Sequence, residues 1–266
     1  MLVISYGIPK SGSTLAFEIV RGVLESAGHE QALLCSSRNS AQPAGRGSTR
    51  NFFARAHRDA VARLIAEIGP DRIIAVKTHS RLNPVDFAWF EERQRAREIR
   101  VIASFRDPRD IALSLVDAGA RVREQHADRR AFAHIRDLDQ AAKRVERRLR
   151  EFRGWAALEG TLRLDYEDTA FAPDKAISAI ERALGVISDH EAVKRYAFTE
   201  ASTQRNKAAP RRHETELDPE RAQALRSRFG GFLKNVSESD DQAWFDKYRA
   251  RMLNRAARKA GGKKDG

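Results

Sequence analysis

The spacing of the hydrophobic positions changes repeatedly along the chain. Leu2–Ser5 is a short apolar run, and a stripe at helical spacing follows from Thr14 to about Ala27. Short apolar runs are typical of buried strands, whereas apolar residues that recur every three or four positions indicate helices. The chain is therefore predicted to begin with a strand and then a helix, which ends at Gly28.

The same alternation continues over most of the sequence. Further strands are predicted at Arg72–Val76, Ile99–Phe105 and Thr161–Asp165, and further helices around Val61–Ile68, over Pro84–Arg95, from Asp107 onward, over Leu138–Phe152 and over Pro173–Leu184. Strands that alternate with helices imply parallel crossovers. The pattern predicts a three-layer α/β domain with a central parallel sheet, in which ligands gather at the carboxyl ends of the strands.

Composition and charge narrow the class of protein. The formal net charge of the 266 residues is +12, and the last eighteen residues carry seven basic side chains against Asp265 alone. We expect a globular domain over residues 1–248 and a basic, solvated C-terminal tail over residues 249–266, rather than a nucleic-acid site. No apolar stretch is long enough for a membrane span, and Met1–Ser5 lacks the basic start of a signal peptide. The lone Cys35 excludes an intramolecular disulfide framework and favours a cytoplasmic protein.

A loop between the first strand and the first helix has the composition of an anion site. Backbone N–H groups of such a loop and the helix N-terminus converge on one point. Gly12 allows the backbone to approach an anion, Ser11, Ser13 and Thr14 add hydroxyl donors, and Lys10 adds a cation. The loop is close to a Walker A loop, but a serine follows Gly12 where that motif needs lysine. We therefore predict a P-loop-like phosphate site.

Two further segments follow predicted strands. His79 is the usual type of general base near neutral pH, and Lys77, two residues earlier, projects on the same side of an extended chain. Arg106 leaves the next strand where Asp107–Pro108 begins a helix, so its guanidinium is placed to meet an anion there. Ser114, about two turns into that helix, is placed to donate to the same anion.

Together these segments resemble the family of sulfotransferases that use 3′-phosphoadenosine 5′-phosphosulfate as donor. Pro9–Thr14 is similar to that family's loop for the 5′-phosphosulfate, usually Pro-Lys-Ser-Gly-Thr-Thr. Lys77–His79 matches its Lys-Thr-His segment, whose histidine is the catalytic base. Arg106–Ser114 matches its 3′-phosphate segment with the spacing of eight preserved. The resemblance runs in order from about residue 2 to residue 236.

The resemblance implies additional donor-binding residues. Leu164–Asp168 is similar to the family's Tyr-Glu-Asp segment, so Tyr166 is expected near the nucleotide. Gly231–Asn235 is similar to the C-terminal Gly-Asp-Trp-Lys-Asn signature. The Arg-Lys-Gly that usually precedes this signature is replaced here, which leaves the second 3′-phosphate arginine open between Arg226 and Arg228.

The function expected from these residues is transfer of a sulfuryl group to a hydroxyl or amine, without a metal. His79 would act as the base, and Lys10 and Lys77 would stabilise the charge that develops. Two alternatives stay open: a P-loop kinase of a small molecule, with Asp165 holding Mg²⁺, and a basic nucleic-acid-binding module. The acceptor and the oligomeric state are not predicted.

Overall fold

The computed structural model describes residues 1–34, 51–125, 131–201 and 207–261. Cys35, most of the predicted Ser36–Asn51 loop, and Lys263 and Lys264 lie outside these ranges. By internal contacts the chain divides into two units. We call Met1–Phe105, Glu151–Gln204 and Ala243–Gly266 the sheet unit, and Arg106–Arg150 with Arg205–Gln242 the helical unit.

The sheet unit contains a four-stranded, all-parallel sheet. Its strands are β1 (Leu2–Gly7), β2 (Ile74–Thr78), β3 (Ile99–Phe105) and β4 (Leu162–Asp165), in the spatial order β2-β1-β3-β4. The predicted α/β class with a parallel sheet is confirmed. The second strand begins and ends two residues later than predicted, because its pairing with β1 runs from Ile74, opposite Leu2, to Thr78.

The helices connect these strands and make up the helical unit. In chain order they are α1 (Ser13–Ser26), α2 (Arg58–Ile68), α3 (Phe87–Arg95), α4 (Pro108–Glu124), α5 (Leu138–Ala156), α6 (Tyr166–Phe171), α7 (Pro173–Leu184), α8 (His190–Arg195), α9 (Arg212–Glu216), α10 (Pro219–Phe232) and α11 (Gln242–Gly261). Local sequence explains several ends. Proline lies in the first turn of α4 and α7, and Gly185 ends α7 with a left-handed φ of 71°.

Side chains on the two faces of the sheet pack against different helices. Val3 and Ile102 belong to a buried cluster that includes Phe17 of α1 and residues of α7 and α8. On the opposite face, the ring of Tyr6 stacks at 5.7 Å on Trp155, near the end of α5. Because side chains alternate along a strand, each strand contributes to both faces. The sheet unit thus has helix, sheet and helix layers.

A short segment that the sequence did not predict lies along the free edge of β2. Lys77 N donates to Asn51 O at 2.7 Å, and Phe53 N donates to Lys77 O at 3.1 Å, which forms a parallel bridge at Phe52. The buried Asn51 amide also accepts from Leu34 N at 2.8 Å. These bonds cover an edge that would otherwise be exposed next to the predicted site.

The boundary predicted at residue 249 falls inside a helix. Within α11, Phe245 and Met252 are buried, and Arg249 forms ion pairs with Glu91 and Glu159. Arg249 is therefore part of the packed sheet unit rather than a solvated tail. None of the helices in the described ranges combines the length and the apolar composition needed to cross a bilayer.

Candidate functional site

Parallel pairing brings the ends of the four strands to one edge of the sheet unit. Tyr6 pairs with Thr78, Gly7 with Ser104, and Phe105 with Asp165. The residues that follow these strand ends are therefore neighbours. This edge holds the loop after β1, His79 after β2 and Tyr166 after β4.

The loop after β1 is a tight turn that leads directly into α1. Ser11 donates to the Ile8 carbonyl from its N–H at 3.1 Å and from its buried hydroxyl at 2.8 Å. Lys10 and Gly12 adopt positive φ angles of 74° and 80°. No side chain caps the start of α1 at Gly12, and the first turn has no acidic residue. The positive end of the helix dipole therefore faces this loop without a carboxylate in the first turn of α1 to balance it.

Position 12 requires glycine for two reasons: its backbone angle is left-handed, and another side chain comes close to it. A Cβ atom added there would overlap the ring of Tyr166, the first residue of α6. Tyr166 is buried and contacts the ring of Phe171 edge-on at 5.8 Å. Tyr166 thus forms one wall of the loop, and its expected place near the nucleotide stays a prediction.

Lys77 connects β2 to the start of α1. Its side chain is only 8% exposed, and Nζ donates to the hydroxyl of Thr14 at 2.6 Å. This contact orients the ammonium group toward the start of α1. The two residues are 63 positions apart in sequence, so this contact depends on the sheet.

The ring of His79 is oriented by the main chain. Nδ1 lies 2.5 Å from the carbonyl oxygen of Gly7. A carbonyl oxygen only accepts, so Nδ1 carries the proton in this contact, and in the neutral imidazole Nε2 then keeps its lone pair. This is the tautomer that a general base needs.

The residues on either side of His79 are fixed by hydrogen bonds. Thr78 Oγ1 donates to Phe53 O at 2.9 Å and accepts from Ser80 N at 3.0 Å. The indole N–H of Trp155 donates to the Ser80 carbonyl at 2.8 Å. The ring of Phe52 lies 5.7 Å from the imidazole. The backbone that presents His79 is therefore held from two sides.

The predicted 3′-phosphate residues lie in the helical unit. Arg106 is buried and its Nη2 binds the buried Asp110 carboxylate at 3.0 Å and the Ala209 carbonyl at 3.1 Å. Asp110 also accepts from the backbone N–H and from Nδ1 of His213, at 2.9 and 2.8 Å. Burial alone would raise the pKa of Asp110, but the His213 hydrogen bonds and the Arg106 charge outweigh it and hold this pKa below its ordinary value. Ser114 is buried on α4.

The structure distinguishes the two arginines that the sequence left open. Arg228 binds Asp139 at 2.7 Å and Glu146 at 3.0 Å, and these hydrogen bonds hold its pKa above the ordinary value. Arg226 instead faces a cleft of about 420 Å³ and lies 3.6 Å from Glu238. The cleft is lined by Arg109, His213, Glu214, Leu217, Pro219, Ala222, Gln223 and Arg226.

The predicted residues therefore form two groups. Lys10–Thr14, Lys77, His79 and Tyr166 meet at one edge of the sheet unit, whereas Arg106, Ser114, Arg226 and Arg228 belong to the helical unit. Sequence reasoning missed the edge segment at Phe52, because a polar residue followed by two phenylalanines has no strand alternation. No family model matches the chain, and a search of curated proteins finds no match.

Proposed function

We propose that this protein is a sulfotransferase that uses 3′-phosphoadenosine 5′-phosphosulfate and transfers its sulfuryl group to a hydroxyl or amine. The observation that supports this most directly is the pair of contacts at the loop. Lys77 Nζ meets the first turn of α1 at Thr14, and His79 Nδ1 meets the last residue of β1, Gly7. A cation and an oriented base thus flank a phosphate-type loop.

The residues of this edge fit the phosphosulfate end of the donor. The start of α1 has no side-chain cap, and Gly12 carries no side chain that would block a close approach. Backbone N–H groups, the hydroxyls of Ser13 and Thr14 and the ammonium of Lys10 are donor groups that suit phosphate and sulfate oxygens.

Each residue of the edge has one task in the transfer. The donor supplies a sulfuryl group, which forms a new bond to the acceptor atom as its bond to the bridging phosphate oxygen breaks and the bisphosphate leaves. His79 takes the acceptor proton on Nε2, because Gly7 holds Nδ1 protonated. Lys10 and the loop N–H groups stabilise negative charge on the leaving oxygen, and Lys77 orients the sulfuryl oxygens.

In this proposal the 3′-phosphate is bound by the arginines and the serine that the sequence assigns to it. Arg106 and Ser114 are the assigned residues, and we assign the second arginine to Arg226. Arg226 is 59% exposed and faces the cleft, whereas both terminal nitrogens of Arg228 bind carboxylates. Binding through Arg106 requires the phosphate to share that guanidinium with Asp110.

Calorimetric titration with three nucleotides tests the proposal. We expect adenosine 3′,5′-bisphosphate to bind more tightly than either ATP or 5′-AMP. Replacing Arg106 with alanine should weaken the bisphosphate by about ten- to a hundred-fold and leave AMP nearly unchanged, since a charge-assisted hydrogen bond contributes roughly 1.5–3 kcal/mol. Circular dichroism of the variant serves as the control for folding.

Two results would reject parts of this assignment. Equal losses for AMP and the bisphosphate would remove Arg106 from the 3′-phosphate site. Tighter binding of ATP than of the bisphosphate, together with an activity that EDTA abolishes, would replace the sulfotransferase by a P-loop kinase.

A further inference from the structure

The outer face of α11 carries a row of cations that the proposed transfer does not use. Four exposed basic side chains follow one another at helical spacing: Lys247, Arg251, Arg255 and Arg258. At 1.5 Å per residue they extend over roughly 16 Å, and at about 100° per residue they fall within a quarter of the helix circumference. They form a straight positive stripe.

The opposite face of α11 holds the helix in place. Arg249 donates to both carboxylate oxygens of Glu91, a side chain that is 1% exposed. On this opposite face the guanidinium of Arg163 also lies 4.3 Å from the Phe245 ring. At the start of the helix, on the side of the stripe, the guanidinium of Arg153 lies 3.7 Å from the Trp244 ring. Such contacts between cations and rings stabilise by about 0.5–2 kcal/mol each. The stripe therefore lies on a docked helix.

Within the described ranges, acidic side chains do not neutralise the positive charge of the stripe. None of the four basic residues forms an ion pair with a described carboxylate, although basic groups on the inner face do. Asp246, on the same helix, lies about 100° around the axis from Lys247. Burial lowers the pKa of Arg153; Tyr248 raises it, and the nearby charge of Arg251 lowers it. Positive charge is thus concentrated along α11.

We propose that this face binds a linear polyanion of the anionic-polysaccharide class. A row of cations along a rigid rod matches a chain of carboxylates or sulfates, which needs no pocket. Ala250, Asn254 and Ala257 border the cations on one side and are small or polar, so they offer nothing to insert into a bilayer. On the other side the rings of Trp244 and Tyr248 contact the guanidinium of Arg153, at 3.7 and 5.3 Å. These rings are thus engaged within the sheet unit rather than presented for stacking on bases.

This inference goes beyond the proposed transfer and does not depend on it. The interaction is tested without any nucleotide, by fluorescence anisotropy of labelled polygalacturonate and, separately, of labelled dextran sulfate. Uncharged dextran is the negative control. We expect binding that weakens steeply with salt, because each contact releases counterions.

Two variants with the same change in net charge separate the stripe from general attraction. Arg251→Gln/Arg255→Gln removes two central cations, whereas Arg63→Gln/Arg182→Gln removes two exposed arginines from α2 and α7. We expect the first variant to bind about tenfold more weakly with a shallower salt dependence, and the second to change affinity by less than about twofold. Both variants should keep the wild-type melting temperature, since all four side chains are exposed.

Each outcome either supports or rejects the proposed polysaccharide site. Equal losses in the two variants would show attraction to the net charge and reject the stripe. Tighter binding to duplex DNA, or to phosphatidylserine vesicles, than to either polysaccharide would reject the proposed partner class. A loss confined to the α11 variant, with the polysaccharides preferred, supports it whether or not the protein binds the bisphosphate.

Discussion

The two groups of candidate residues hold their cations in different ways. At the edge of the sheet unit, Lys77 contacts the Thr14 hydroxyl and His79 contacts the Gly7 carbonyl, both of which are neutral. In the helical unit, Arg106 binds Asp110, and Arg228 binds two carboxylates. A neutral partner orients a basic group, whereas a carboxylate partner also cancels its charge.

This difference separates basic side chains that are oriented for a reaction from basic side chains that stabilise the fold. The contacts with Thr14 and Gly7 orient Lys77 and His79 toward the loop, which suits the sheet edge to chemistry. An arginine bound to carboxylates stabilises the unit to which it belongs, and an anion has to compete for it. Arg226 meets one carboxylate, Glu238 at 3.6 Å, whereas Arg228 binds two at 2.7 and 3.0 Å. The comparison therefore favours Arg226 over Arg228 as a ligand, and it makes Arg106 a shared group.

The largest effect is expected from removing the oriented base. Replacing His79 with alanine should lower turnover by about 10²–10⁴-fold while bisphosphate affinity stays within a few-fold, because the ring contributes to proton transfer and not to the loop. Transfer from radiolabelled donor measures the first quantity and calorimetry the second. The exposed His134, replaced in the same way, is the matched control. Residual turnover above about a tenth of wild type would refute the role of His79.

Next in size is the effect of filling the loop. Gly12→Ala forces a non-glycine residue into a left-handed conformation, at a cost of about 1–2 kcal/mol, and also overlaps the Tyr166 ring. Gly28→Ala has a similar φ of 86° but meets nothing within 4 Å. Urea denaturation and bisphosphate titration of both variants isolate the ring overlap. We expect bisphosphate binding to fail only in Gly12→Ala, and equal behaviour of the two would mean that Tyr166 is no wall of the site.

The two arginines of α10 should separate affinity from stability. Arg226→Gln should weaken the bisphosphate by about tenfold and leave the urea midpoint unchanged. Arg228→Gln should leave affinity unchanged and lower stability by about 1 kcal/mol, since its ion pairs with Asp139 and Glu146 are partly exposed. The reverse result would show that carboxylate pairing does not identify structural arginines here.

The smallest effect is a pH dependence in the sheet unit. His190 contacts Asp174 at 3.0 Å and Glu181 at 3.2 Å; burial lowers its pKa, but these carboxylates outweigh burial and raise it above its ordinary value. This stabilisation is fully present below about pH 6.5 and is lost as the pH rises through the raised pKa of the folded state. The stability difference between wild type and His190→Gln should shrink between about pH 5.5 and about pH 8.5, by less than about 1 kcal/mol. A difference that grows with pH would contradict this assignment.

Local sequence was enough to predict the elements whose ends are marked by proline or glycine. The range of α7 matches its prediction, because Pro173 and Gly185 mark both ends. Strand alternation with helices also predicted that the loop and His79 would share one edge. The segment at Asn51 escaped prediction because its strand-like pairing depends on an amide that reaches Leu34 N and Ala32 O.

Dependence on contacts between distant parts of the chain also explains why the site was predicted incompletely. Arg226 and Arg228 are two residues apart and have similar neighbours in sequence. What separates them is contact with Asp139 and Glu146, more than 80 positions away. Likewise, Arg249 reads as a member of a basic run, and only its contact with Glu91 shows that it is packed. Pairings of charged side chains over such distances follow from the fold and not from spacing.

The contact between His79 and Gly7 has a consequence for mutational drift. The hydrogen bond from His79 is accepted by a main-chain carbonyl, which every amino acid carries. Substitution at position 7 therefore does not delete the group that selects the histidine tautomer. The position is restrained for another reason, because a Cβ there would overlap Ser13 and Ser104. The orientation of the histidine thus depends on chain geometry rather than on a second side chain. We expect the orientation of His79 to persist while the residues that contact the sulfuryl acceptor diverge.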